Sequence, residues 1–202
     1  MFNFKDVDRS MLVKLVILHV GVIVVSNALV GIPVEIFGIK LTWAAFTFPL
    51  VVIATDLTIR LLGKQIARST IAVAYPFAII GSIAVVLLEG APTSVALRIG
   101  FASATAYAIG TMLDVYVFQH IREKWSNNWW LAPAVSTVAA NIIDTYTFFF
   151  TAFSGSANEY MAANWMEIAG SQTVLKIFVG LIIFLPAYGV LLNHLQKKYK
   201  VK

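Results

Sequence analysis

Three aspartates sit inside long apolar stretches, and they are the residues with which this chain could do chemistry. An ionised carboxylate deep in a bilayer costs at least about 2.5–3.5 kcal/mol, so such a side chain faces a wet cavity or a partner. Asp144 shares a helical stripe with Thr137, Asn141 and Phe148. A carboxylate accepts two hydrogen bonds, an amide gives and takes, and a ring stacks, so this stripe suits a flat polar heterocycle; the alternative is a buried structural network. Asp114 ends a stripe of Ser103, Tyr107, Gly110 and Thr111. That stripe reads as a water-accessible wall or as an interhelical hydrogen-bond seam. Arg98 lies roughly opposite it on an ideal helix. Asp56 precedes Arg60 by one turn, which suits a self-neutralising pair at a gate or helix end, with direct ligand contact as the alternative. His19 and Asn27 share a face with Ile23 and Ser26. A lone histidine there reads as a hydrogen-bonded core residue, and Asn27 is the better ligand candidate.

The elements that position these groups follow from composition. Of 202 residues, 59% are apolar and 12% are charged, against roughly 45–50% and about 25% in soluble domains. A soluble globule of this size and a disordered chain are both excluded, which leaves a multi-span membrane protein. The absence of cysteine excludes disulfide scaffolds, thiolate metal sites and cysteine nucleophiles. Several enzyme signatures are absent: there is no phosphate-binding glycine loop, no H-E-x-x-H and no nucleophile elbow. Asp114 and Asp144 stand at different depths, which argues against a shared-proton dyad between them.

Six continuous apolar runs, at 11–30, 43–62, 70–88, 95–118, 130–153 and 173–192, predict an all-α, six-helix transmembrane domain spanning 1–202. The polar first ten residues do not read as a secretory signal. Six crossings put Lys5, Arg9, Lys14, Arg60, Lys64, Arg68, Arg122, Lys124, Lys197, Lys198, Lys200 and Lys202 on one side and Lys40, Arg98 and Lys176 on the other. That bias predicts cytoplasmic termini, and it makes the net charge of +5 a topology signal rather than a nucleic-acid footprint. Pro49, Pro76, Pro133 and Pro186 fall inside four runs, which fits kinked helices around a cavity as well as the ordinary tolerance of proline in membrane helices. Residues 31–41 read as a small hairpin and 154–172 as an outward loop that could cap a site. Trp43, Trp125, Trp129 and Trp130 read as interface anchors. Of Phe148, Phe149, Phe150 and Phe153, at most two line a cavity. Gly and Ala on several spans permit close helix contact, which makes a homodimer the assembly to look for.

Several ordered phrases resemble the queuosine-precursor transporters, the vitamin-uptake-transporter type, with the proteobacterial inner-membrane members nearest. They are Ser26–Asn27, TFPLVVIATDLTIRLLGKQIAR at 47–68, RIGFASATAYAIGTMLDVYVFQHIR at 98–122, WWLAPAVSTVAANIIDTYTFFFTAF at 129–153, NWMEIA at 164–169 and FLPAYGVLLN at 184–193. The resemblance implies import of a 7-deazaguanine base for tRNA modification, with no cofactor and with the lipid bilayer and the small molecule as partners. It implies Asp144 or Glu167 at the base edge, hydrogen bonds from Asn27, Arg98, Tyr107 and Asn141, and Phe148 and Trp165 around the ring. Asp56, Arg60 and Asp114 would gate or couple at the inner side. A substrate-binding subunit of an energy-coupling-factor system is the main rival. An intramembrane enzyme is a third reading. All but the last require polar side chains to wall a passage with room for one small flat molecule.

Overall fold

Apolar surface and buried polar side chains together set this architecture. The computed structural model describes residues 9–30, 33–36, 39–47 and 49–199. Along the chain run α1 (Arg9–Val30), β1 (Pro33–Ile36), β2 (Ile39–Thr42), α2 (Ala44–Thr47), α3 (Pro49–Leu62), α4 (Lys64–Leu88), α5 (Thr93–Lys124), α6 (Leu131–Phe153), α7 (Glu159–Val179), a π-helical turn (Gly180–Phe184) and α8 (Leu185–Tyr199). Leu88, Val190 and Ile80 are 88%, 72% and 65% exposed, while Asn141, Asp114 and Thr145 are each 0% exposed. Outward leucine and inward aspartate is the arrangement of a protein whose solvent is hydrocarbon.

The fold is all-helical apart from a short antiparallel hairpin among the described residues. Its register pairs Pro33 with Thr42 and Ile36 with Ile39, where the sequence predicts a hairpin. Four helical stretches are long and apolar enough to cross a membrane: Arg9–Leu29, Lys64–Leu88, Thr93–Lys124 and Glu159–Lys197. The protein is therefore multi-pass. Two other predicted runs look different from a plain span. The run at 43–62 is broken into α2 and the 14-residue α3, which reaches only about 21 Å at 1.5 Å per residue. The helix α6 is long enough, but Ser136, Thr137, Asn141, Asp144 and Thr145 dilute its apolar character, and all five are buried. The residues that weaken its hydropathy are the ones turned inward.

Several boundaries differ from the sequence reading. Residues 154–172 are not an outward loop: α7 starts at Glu159, where the Asn158 side chain accepts a hydrogen bond from the Met161 backbone N–H at 3.0 Å. The helix then runs through α8, so the run at 173–192 is the second half of a much longer rod. Residues 63–69 are not a loop either; Gly63 alone, at φ +91°, turns α3 into α4. Pro49 and Pro133 are placed where they break nothing. Pro49 opens α3 and Pro133 is third in α6, whereas Pro76 lies inside α4 and Pro186 inside the long Glu159–Lys197 rod. Pro186 lacks the N–H that an α-helix needs, and the turn before it widens so that the Leu185 N–H bonds to the Gly180 carbonyl, five residues back.

The centre of the bundle is α5 packed between α4 and α6. Small residues allow the approach. A Cβ at Gly100 would lie 3.1 Å from the Ile83 backbone nitrogen, and one at Gly110 would lie 2.9 Å from the Cβ of Asp144. In hydrocarbon, packing rather than the hydrophobic effect holds helices together, so such close approaches carry the association.

Candidate functional site

Two polar clusters are stacked within the bundle, and α6 contributes to both. The first surrounds Asp144. Its Oδ2 accepts a hydrogen bond from Lys176 Nζ of α7 at 3.1 Å, and the same ammonium donates to Thr145 Oγ1 at 3.1 Å. Both side chains of this ion pair are nearly inaccessible, at 5% and 8% exposure. A cavity opens beside it, walled by Ile23, Ser26 and Asn27 of α1, Ser103 of α5, Phe148 and Phe149 of α6, and Gln172 of α7. Asn27 Nδ2 donates to Ser82 Oγ at 2.6 Å and Ser103 Oγ at 3.0 Å, pinning α1 to α4 and α5. Ser26 Oγ meets Thr47 Oγ1 at 2.8 Å, which ties the short α2 to the same wall. Phe148 and Phe149 stand edge to face, with centroids 5.3 Å apart.

The cavity is small. It offers about 40 Å³ to the centres of water molecules, room for a few waters and well short of the roughly 300–1,000 Å³ of ordinary ligand pockets. A molecule the size of a nucleobase would fit only if a wall moved. The α5–α6 wall is clamped at Gly110. The α7 wall is held to Asp144 and Thr145 by one ammonium, and that link can be exchanged for another donor.

The second cluster lies about 12 Å along α6, eight residues from Asp144, around Ser136. Ser136 Oγ donates to Asp56 Oδ1 of α3 at 3.4 Å. Asp56 and Asp114 lie close enough to act on each other electrostatically. Asp56, Asp114 and Ser136 are 2%, 0% and 0% exposed. The Asp56–Arg60 ion pair suggested by their spacing does not form. Among the described residues the ion pairs within 4.0 Å are Lys176–Asp144 and the superficial Lys64–Glu123. The stripe on α5 links the two clusters: Ser103 walls the cavity, Gly110 abuts Asp144, and Asp114 meets Asp56.

Of the residues that the sequence offers as ligand contacts, Asn27, Asp144 and Phe148 wall the cavity. The others lie elsewhere. Tyr107 is buried against α1, its hydroxyl 3.0 Å from His19 Nδ1, so His19 is the hydrogen-bonded core residue expected of it. Asn141 Nδ2 donates to the Thr137 carbonyl at 2.9 Å, beneath the cavity and beside Gly180. Trp165 packs on Phe150 with centroids 5.6 Å apart. Glu167 is exposed on α7. Arg98 caps the end of α6, donating through Nε to the Thr151 carbonyl at 3.0 Å and through its terminal nitrogens to the carbonyls of Ser154 and Gly155. Lys176 and Gln172 are the contacts that the sequence reading missed.

Arg98 thus has a testable structural task. Arg98→Ala leaves three carbonyls without their charged donor, and a hydrogen bond to a charged group is worth about 1.5–3 kcal/mol. The expected result is a lower melting temperature in detergent with little change in ligand affinity for the folded fraction. Loss of affinity at unchanged stability would put Arg98 in the binding site instead.

Comparison with known proteins adds what geometry cannot. Residues 42–191 match the family described as "Putative vitamin uptake transporter". The chain is 44% identical over 191 residues to the "Queuosine precursor transporter" of Escherichia coli strain K12, covering 89% of this chain and 86% of that one. It is 34% identical to a "Probable queuosine precursor transporter" of Haemophilus influenzae, covering 99% and 94% of the two chains. A similarly described protein of Bacillus subtilis is 28% identical over 82% of this chain and 78% of its own length. No solved structure matches.

Proposed function

Since this chain belongs to the queuosine precursor transporter family, we propose that it imports 7-deazaguanine bases across a bacterial inner membrane through the cavity beside Asp144. The observation that carries this reading is that carboxylate, buried in the wall of a polar cavity and held by one lysine. A deazaguanine presents a ring N–H and an exocyclic amine side by side on one edge. Asp144 is the matching bidentate acceptor. In this mechanism the base edge replaces the Lys176 ammonium, α7 moves away from α6, and Phe148 covers one ring face. Asn27 and Ser103 fix the opposite wall. A transporter family of this kind performs no bond chemistry on its cargo.

The reading takes 1–202 as one domain with six crossings, the broken α2–α3 segment and α6 supplying the two beyond the four long apolar stretches. Interrupted helices that line a central site are a recurring transporter device. Arg9, Arg60, Lys64, Arg122 and Lys197 belong to helix ends that gather at one end of the bundle, and the positive-inside rule sets that end, with both termini, in the cytoplasm. The cavity then lies in the outer half and the Asp56–Asp114 cluster in the inner half.

The test is accumulation of a tritiated deazaguanine base in cells that lack their own uptake route. Cells expressing the chain are expected to concentrate label into tRNA, and uptake by the purified chain in liposomes is expected without any ATPase. Uptake only with an added ATPase module would favour the energy-coupling-factor rival. No uptake in either setting would end the import reading.

A further inference from the structure

The import reading leaves the second cluster without a task, and its chemistry is unusual. Four helices bring polar groups to one dry point: Asp56 from α3, Asp114 from α5, Ser136 from α6 and Tyr188 from α8. All are at most 2% exposed. Neither Asp114 oxygen has a donor in hydrogen-bonding geometry, and the buried Tyr188 hydroxyl also has no hydrogen-bond partner. The polar neighbours of Asp114 are Asp56 and Ser136. Two carboxylates in one buried site cannot both stay ionised, and the economical solution is a proton held between them. We propose that the Asp56–Asp114 pair is a proton-binding site through which base import is coupled to inward proton movement.

Space argues for a proton over a metal cation. The hollow that Asp56 and Tyr188 line with Pro133, Thr137 and Gly180 offers about 10 Å³, at the floor for a single water. A cation needs that room and a shell of oxygens as well. A proton needs neither. The charged groups acting on this region are Arg60 of α3 and Arg122 of α5, both of which bear on Tyr188. On α4, Lys64 is engaged with Glu123 at 3.7 Å. The pair cycles between one bound proton, with net charge −1, and two, with net charge zero. A proton enters from the outer side when the base site is open. Approach of Arg60 or Arg122 favours the ionised form and discharges it inward. Gly180 lies against Thr137 and near Asn141, and the wide turn it opens joins the two clusters, so movement of α7 at Lys176 reaches Tyr188 along one rod.

This proposal rests on the import reading, and the experiment separates the two. The full chain is reconstituted in liposomes with a trapped pH dye and tritiated cyano-deazaguanine, which is uncharged and so isolates the proton. With the interior one pH unit more alkaline, one proton per base sustains about tenfold accumulation, and base entry acidifies the lumen. Asp114→Asn and Asp56→Asn are expected to exchange base across the membrane yet to accumulate none above equilibrium. Tenfold accumulation by either variant, or wild-type exchange with no lumen acidification, would overturn the coupling and leave import standing. Wild-type accumulation that follows sodium would do the same. No wild-type exchange at all would remove import and coupling together. The dye measurement needs no variant, so it stands even if a substituted chain fails to fold.

Discussion

Asp144→Asn is expected to lower the affinity of the purified chain for a deazaguanine base by about thirtyfold or more, read by calorimetric titration. Truncating one member of a buried hydrogen-bonded charge pair costs about 2–5 kcal/mol, and each 1.4 kcal/mol is about tenfold. The same change also takes the carboxylate charge away from the buried Lys176 ammonium, which keeps its hydrogen bond to Thr145 at 3.1 Å. Breaking such a pair costs about 3–5 kcal/mol of stability, so stability and binding fall together in the single variant. A double variant separates them. Asp144→Asn with Lys176→Met removes both charges, and it is expected to regain most of the stability while binding stays lost. If the double variant bound base as tightly as the wild type, Asp144 would be only a strut between α6 and α7.

Gly110→Val is expected to abolish transport and to lower the melting temperature in detergent. A Cβ there would stand 2.9 Å from the Cβ and 3.5 Å from the Cα of Asp144, and 3.6 Å from the Ala140 carbonyl oxygen. Backbone lies behind the contact, so the helices must separate. Overpacking of this kind costs about 1–3 kcal/mol. It also shifts the carboxylate that the base must meet, so transport suffers more than stability. Gly21→Val is the control: it has nothing within 4 Å of an added Cβ and is expected to leave transport unchanged. Wild-type transport by Gly110→Val would contradict the close α5–α6 clamp.

What was legible in the sequence was whatever depends on local chemistry. Polar residues inside apolar runs stand out, which points to Asn27 and Asp144, and Phe148 follows from its place on the Asp144 stripe; all three wall the cavity. The hairpin at 33–42 was legible from its glycine and proline punctuation. What failed depends on contacts distant along the chain. Asp56 and Arg60 have the spacing of a pair, but α5 and α6 bring Asp114 and Ser136 to Asp56 instead. Arg98 reads as a ligand because nothing local shows that carbonyls more than fifty residues away will meet it. Lys176 was counted as a charge at the outer end because the sixth apolar run starts at 173. The helix starts at Glu159, and Lys176 is therefore deep within it, where its ammonium is buried on Asp144. Asp114 and Asp144 stand apart, as their depths in the sequence suggest, with Asp144 on Lys176; what the sequence hides is that Asp56 of the second apolar run comes close to Asp114.

The most direct measurement is a structure of the chain with a deazaguanine base bound. The expected result is the ring N–H and exocyclic amine on the two Asp144 oxygens, one ring face on Phe148, and the 3.1 Å Lys176–Asp144 contact opened. A base bound elsewhere, with that ion pair intact, would contradict the account.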